Sequence, residues 1–491
     1  MELIGNAVLE IFSLKMLLIS SGGVILGIFW GAMPGLTTVM ALALLVSLTY
    51  TMTANEAIMF LVAIQTASTF GGSITAVLIN IPGTPASIPT AIEGYPLTKK
   101  GEGGLALGMS IVASFFGNWI GTIALILCVP MIIAIAMRFG SWELSLLALW
   151  GIAISGTMTE KQKPIKGWMS GWIGLLVSMV GMEPMHAFCR FTFDSVVLSN
   201  GLGYLPILIG LFGLAEVIKA LSRKTPEIIA PQVSKIIPSF AMIKKYFGVT
   251  ISSGIIGTII GAIPGAGPNI SSFVAYDVAK RRANEEEKKK FGNGSYAGLI
   301  ASEVANNATI GGSLLPAMTL GIPGSAGAAI FMGALNLHAI AVGPAIQIEH
   351  PGIMYFLYVS LIVSNLLMYV FALLLIKPGV KVFSVKKELM MPLIAPLCAI
   401  GAYGANQVSF DLYVMIGAGI FGFLFYKMKF PLAPFILGVI LGPMADENLR
   451  KAFIIFKSEG ATLIDILSRP VGTTLLIIIA LTIYDGIFRK R

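Results

Sequence analysis

Charge is what this chain has least of. Only 12% of its 491 residues are Lys, Arg, Asp or Glu, about half the roughly 25% usual for a soluble domain. That is too little to cover a water-facing surface. Histidine and cysteine are equally scarce. His186, His338 and His350 are scattered, and Cys128, Cys189 and Cys398 stand isolated in apolar sequence. Neither set has the spacing of a metal site or a disulfide framework. The patterns H-E-x-x-H, G-x-S-x-G and G-x-x-x-x-G-K-[ST] are absent, and Ser155-Gly156 lacks a serine-nucleophile context. These absences argue against enzymatic chemistry and against an ATP-driven pump, and no cofactor is expected. The first 15 residues hold Glu2 and Glu10 but no basic n-region, so no cleavable signal is expected and the first span targets the chain.

Apolar residues make up 56% and mean hydropathy is +0.87. The fold class expected is an all-α polytopic membrane protein. Segments 141–156, 202–220, 354–376, 409–426 and 471–485 approach the ~20 residues a membrane helix needs, and about 10 to 14 crossings are expected. The stretch 104–137 is read as two segments, because Asn118 and Gly121 interrupt it and Pro130 follows. The net charge of +9 is no nucleic-acid signal. Its Lys and Arg sit in short connections: Lys99-Lys100, Lys161 to Lys166, Arg223-Lys224, Lys244-Lys245, Lys280 to Lys290, Lys386-Lys387 and Arg489 to Arg491. That is the positive-inside bias of a multi-pass cytoplasmic membrane protein.

Against this background one set of motifs occurs twice. Gly27-Ile-Phe-Trp-Gly31-Ala-Met-Pro34-Gly35, Gly71-Gly72-Ser73 and Ile81-Pro82-Gly83 form the first copy. The second is Gly257-Thr-Ile-Ile-Gly261-Ala-Ile-Pro264-Gly265, Gly311-Gly312-Ser313 and Ile322-Pro323-Gly324. Helix breakers in apolar segments free backbone groups that must line a cavity or bind something. Breaks at matching places in two halves point to a transporter's binding site. The chain therefore divides into a first repeat (14–137), connecting helices (138–236), a second repeat (247–376) and C-terminal helices (377–491). Lys280-Arg281-Arg282 follow the second Pro-Gly, whereas Thr51 to Glu56 in the first copy carry no Lys or Arg. The reverse holds after the third motif, where Lys99-Lys100 oppose a cation-free 325–353. Opposite signs on equivalent loops favour inverted repeats with Gly/Pro-broken helices.

A helix restarting after Pro-Gly presents free N–H groups that bind carboxylate without a buried cation. The expected substrate-binding residues of the first half are Pro34, Gly35, Thr37, Thr38, Gly71, Gly72, Ser73, Asn80, Pro82, Gly83 and Thr84. Those of the second are Pro264, Gly265, Asn269, Asn306, Asn307, Gly311, Gly312, Ser313, Pro323, Gly324 and Ser325. For Gly27/Gly31 and Gly257/Gly261, tight helix packing is the equal alternative. Glu303 precedes Asn306 and Asn307 by three and four residues, on one helical face; it is a coupling-ion site or a structural acid. Its counterparts in the first half are taken as Ala63, Thr66 and Ala67. Glu183, His186 and Arg190 form a second polar cluster, at helical spacing if that stretch is helical.

At these residues the chain resembles the large membrane subunit (TctA) of the tripartite tricarboxylate transporters. The resemblance rests on Phe70-Gly71-Gly72-Ser73 through Asn80-Ile-Pro82-Gly83, on Glu93-Gly94-Tyr95-Pro96, on Ala305-Asn306-Asn307 through Gly311-Gly312, on Gly321-Ile-Pro323-Gly324-Ser325, and on Leu441-Gly442-Pro443 through Arg450. Departures are Ser302, where relatives usually carry proline, and Gln65-Thr66-Ala67-Ser68-Thr69, which lacks their aromatic and glycine residues. The resemblance implies a secondary transporter subunit for tricarboxylates or related small organic acids, driven by a proton or sodium gradient. It also implies a small membrane subunit of about four helices and an extracytoplasmic solute-binding protein as partners, with lipid around them. A stand-alone carboxylate permease or channel is the alternative.

Overall fold

A computed structural model describes residues 2–33, 35–159, 164–221, 236–382 and 387–488. Pro34, Lys161, Arg223-Lys224, Lys386 and Arg489 to Arg491 lie outside the described residues. The chain is helical almost throughout. In order it forms α1 (Glu2–Ile11), α2 (Leu14–Ala32), α3 (Thr38–Leu45), α4 (Ala54–Ile79), α5 (Ile88–Lys99), α6 (Gly103–Ala136), α7 (Ser141–Thr159) and α8 (Pro164–Ser178). After α9 (Tyr204–Leu221) come α10 (Phe247–Gly261), α11 (Gly267–Arg282), α12 (Tyr296–Leu320), α13 (Ala326–Leu337) and α14 (Pro351–Val382). The last four are α15 (Lys387–Asn406), α16 (Phe410–Lys427), α17 (Leu432–Glu459) and α18 (Pro470–Phe488). Eight helices among the described residues are long and apolar enough to cross a membrane. Stripes at every fourth residue, such as Ile123, Leu127, Met131 and Ile135 on α6 or Ile251, Ile255 and Ile259 on α10, are exposed on their outer faces. A soluble protein buries such stripes; a bilayer solvates them.

The two central helices behave in the opposite way. α4 and α12 are rich in Gly, Ser, Thr and amides, yet α4 is buried from Glu56 to Leu78 and α12 from Ala297 to Thr319. Their polar groups are kept from lipid by other helices. α4 begins on a capping box, with Thr53 and Glu56 each bonding the other's backbone N–H, and stops at Asn80 in the left-handed region (φ 57°). α12 begins on Ser295, whose hydroxyl accepts from Gly298 N, and stops at Gly321 (φ 71°). α2 packs on α4 as α10 packs on α12. The long helices then exchange: α6 of the first half packs on α12, and α14 of the second packs on α4. Likewise α3 packs on α13, while α11 packs on the turn Pro85–Ser87 before α5.

The connecting and C-terminal helices pair across the sequence. α7 and α8 pack on α17, and α7 also on α18, whereas α9 packs on α15 and α16. The expected division of 104–137 is overturned, because α6 runs unbroken for 34 residues. Asn118 does not interrupt it, since its side-chain amide bonds Asn307 and Asn365 inside the bundle, and Gly121 lies against Ala308 and Gly311. At ~1.5 Å per residue it spans about 51 Å, more than the ~30 Å hydrocarbon core, so it must tilt or project.

Glycines set how closely the breaks approach. A Cβ on Gly83 would lie 2.3 Å from the Gly31 carbonyl oxygen, and one on Gly324 2.0 Å from that of Gly261. Gly324→Ala should therefore lower the thermal midpoint of the detergent-solubilised protein, at a cost of about 1–3 kcal/mol. Gly248→Ala, where nothing lies within 4 Å, should leave it unchanged or raise it. Equal melting of the two variants would refute this packing.

Candidate functional site

Each half brings its two breaks together. In the first, the Gly83 N–H donates to the Gly72 carbonyl (3.2 Å) and Gly83 lies against Gly31, just before Pro34-Gly35. In the second, the Gly324 N–H donates to the Ser313 carbonyl (3.3 Å) and Gly324 lies against Gly261, just before Pro264-Gly265. Gly27 and Gly31 sit against backbone of α4, and Gly257 and Gly261 against backbone of α12. These G-x-x-x-G glycines are packing residues.

The same contacts correct the register between the halves. Gly72 corresponds to Ser313 and Gly71 to Gly312, each of the latter pair packing on its preceding helix at Ile28 and Thr258. Gly83 and Gly324, like the left-handed caps Asn80 and Gly321, are then 241 residues apart. The repeated letters Gly-Gly-Ser suggest 240 and are off by one. Glu303, Asn306 and Asn307 therefore correspond to Val62, Gln65 and Thr66, not to Ala63, Thr66 and Ala67.

New helices start beside these breaks. Thr37 caps α3, its hydroxyl accepting from Met40 N (3.2 Å), with Gly35 at φ 83° and Thr38 as the first helical residue. Ser325 caps α13 in the same way through Ala328 N (3.2 Å). Thr84 bonds Ser87 (3.3 Å), and both lie against Gly72. Gly265 (φ 74°) abuts Ser155, while Pro264 lies near Gly151 of α7. Pro323, Gly324, Pro264 and Gly265 are buried and Pro82 is half-buried; Asn80 and Asn269 are exposed. Ser73 turns away from the breaks: it donates to the Phe70 carbonyl (2.8 Å) and accepts from Ser110 of α6 (2.8 Å). Ser313 donates to Ile310 O (3.1 Å).

Glu303 is fully buried. One carboxylate oxygen accepts from Thr90 of α5 (2.5 Å) and the other from Ser114 of α6 (3.3 Å). Asn307 donates to Ser114 and to the Glu303 carbonyl, both at 2.9 Å. The chain continues through Asn118 to Asn365 of α14 (3.1 Å). Glu303 and Asn307 thus tie α12 to first-half helices. Asn306, although one residue away, leaves its amide nitrogen without a protein partner. Three further buried polar atoms on α4 share that condition: Gln65 Oε1, Thr66 Oγ1 and Thr75 Oγ1. Gln65 was hidden in the sequence by the one-residue slip in register.

A family model described as "Tripartite tricarboxylate transporter TctA family" matches residues 17–437. The chain belongs to the TctA family. It is 33% identical over 455 residues to an Agrobacterium vitis protein described as "Uncharacterized 52.8 kDa protein in TAR-I ttuC' 3'region", covering 92% of this chain and 89% of that one. A second A. vitis protein, described as "Uncharacterized protein in TAR-II ttuC' 3'region", is 32% identical over 239 residues, 48% of this chain and 97% of its own length. No solved structure matches. This TctA-family chain is thus a multi-pass membrane protein of a transporter family. Its Leu441–Arg450 stretch lies beyond the residues matched by the family model.

Two further motifs of this TctA-family chain acquire structural roles. Glu93, wholly buried, accepts from the Tyr276 hydroxyl (2.6 Å) and from the backbone N–H groups of Gly292, Gly294 and Ser295 (2.7, 3.1 and 2.7 Å). It clamps α5 to α11 and to the start of α12. The Glu183 cluster is not helical: Gly181–Met182 (β1) pairs antiparallel with Cys189–Arg190 (β2). His186 still meets Glu183 (3.2 Å), but Arg190 pairs with Asp446 of α17 (2.9 Å). Desolvation opposes ionisation of the Glu183 carboxyl, yet the N–H groups of His186 and Met185 outweigh it and hold the group below its usual range.

Removing the Glu93 carboxylate strands four donors in a buried place. Glu93→Ala should cost at least about 3 kcal/mol, read as a lowered thermal midpoint and faster proteolysis at 291–295. Glu93→Gln should fare little better, because its NH2 meets N–H groups. Parent-like melting of both would show that the clamp contributes nothing.

Proposed function

We propose that this chain is the transport-conducting subunit of a secondary transporter that moves tricarboxylates or related small organic anions across a prokaryotic cytoplasmic membrane. An extracytoplasmic binding protein delivers the anion, a small four-helix membrane subunit completes the complex, and a proton or sodium gradient drives uptake by alternating access. No chemical step is needed. The observation carrying this reading is the meeting of two helix breaks in each half, with the same contacts in both halves. Such a junction frees N–H groups at helix starts, and their dipoles favour an anion. The reciprocal packing of α6 on α12 and α14 on α4, with the opposite loop charges, supports two inverted repeats spanning 14–137 and 247–376, flanked by 138–236 and 377–491. Glu303 is the coupling candidate, because an ionisable group buried among membrane helices is costly unless it is used.

The test is uptake into proteoliposomes holding the chain and its small subunit, with and without the binding protein. Citrate, succinate and acetate are offered under separate Na⁺ and pH gradients. Uptake of citrate or succinate that needs the binding protein and one gradient is expected. Glu303→Gln should abolish the gradient dependence. Uptake by the purified chain alone would instead favour a stand-alone permease, and uptake of none of the three would overturn the reading.

A further inference from the structure

Gln65 and Asn306 occupy equivalent places on the two central helices, 241 residues apart. Both are amides and both are buried, with 4% and 1% of their surface exposed. Gln65 keeps its carbonyl Oε1, and Asn306 its amide Nδ2, without a protein partner. A buried, unpartnered amide is destabilising and uncommon in a folded protein, and here it occurs twice at matching positions.

Where Gln65 points is also defined. A Cβ built on Gly327 would lie 3.3 Å from Gln65 Nε2, with the Ser325 hydroxyl 3.8 Å away. Ser325 and Gly327 open α13, a 12-residue helix, so the Gln65 amide is aimed into its N-terminus. Gly327 leaves that approach free of a side chain. The counterpart of this helix start is the turn Pro85–Ser87, against which the helix bearing Asn306 packs.

We propose that Gln65 and Asn306 are a matched pair of substrate-contacting amides, one per repeat. The pair suits a di- or tricarboxylate that offers an ionised carboxylate to Asn306 Nδ2 and a hydroxyl or a protonated carboxyl to Gln65 Oε1. The free Asn306 NH2 donates to a carboxylate, and the free Gln65 carbonyl accepts from a substrate hydroxyl or a protonated carboxyl. The inference rests on the transport reading above and extends it to residues the Pro-Gly motifs do not include.

The test uses the full chain with its partners. Gln65→Met and Asn306→Leu replace each amide with an apolar side chain of similar size. The midpoint of the anion-free protein should stay level or rise, because a stranded polar group is gone. Uptake of whichever of citrate and succinate the parent takes up should fall about ten-fold or more, the loss expected for a hydrogen bond to a charged group. Stabilisation of the purified protein by that anion should shrink in parallel. Gln65→Glu, which sets a negative charge beside the anion, should lower uptake further. Parent-like uptake by the folded Met and Leu variants overturns the pairing and leaves the transport reading standing. A parent that takes up acetate alone overturns the pairing, and one that takes up none of the three overturns both.

Discussion

The constraint on which this structure depends is that a helix cannot be broken inside a bilayer unless its freed backbone groups find partners. Lipid offers none. The chain meets the requirement by crossing its breaks in pairs, so that the loop ending α4 folds back onto α4 itself at Gly72 and lies against the end of α2 at Gly31. That crossing leaves no room for a Cβ, which is why the motif reads Gly-x-x-x-Gly followed by Pro-Gly in both copies. Proline terminates the helix and glycine lets the crossing close.

From that crossing the layering of the bundle follows. Helices that present glycine, hydroxyl and amide groups to such crossings cannot also face lipid, so α4 and α12 lie at the centre. The apolar α6 and α14 take the outer positions, each on the central helix of the opposite half. This exchange places Ser114 and Asn118 of α6 against Glu303 and Asn307. The only acid of the central pair's buried middle is thereby bonded by hydroxyls from the first half, on the face of α12 turned towards α6. Asn306 is left on another face of the same helix. The prospective coupling group and the prospective substrate contact are neighbours in sequence without sharing partners.

Much of this was legible beforehand because it rests on residues with few other uses. Pro34-Gly35 and Pro264-Gly265 announce breaks, and the scarcity of charge announces the apolar helices. Other features were not. Hydropathy measures how apolar a side chain is but cannot say whether lipid or another helix surrounds it, so Asn118 and Gly121 look like an interruption in 104–137 when both are packing contacts of one helix. Helical spacing of Glu183, His186 and Arg190 was equally uninformative, since their stretch is a hairpin bonded to α17. The register slip has a different cause. Gly-Gly-Ser is repeated in letters, yet which glycine meets the preceding helix depends on the loop that follows, and that loop fixes an offset of 241.

The distribution of contacts also bears on where the proposed alternating access would cost least. Within the core the ties are directional: Glu303 to Thr90 and Ser114, Glu93 to three backbone N–H groups, Asn118 to Asn365. Separating those elements would strand buried polar groups at a cost of about 1–3 kcal/mol each. Against the flanking helices the second Pro-Gly tip instead meets Leu437, Gly151 and the Ser155 side chain. Contacts of that kind lose only dispersion when they slide, and dispersion is regained in the new position. Halves cross-linked by buried hydrogen bonds and bordered by small and apolar residues would move as one body past α7 and α17. A rearrangement inside the core, between α6 and α12, is the costlier alternative.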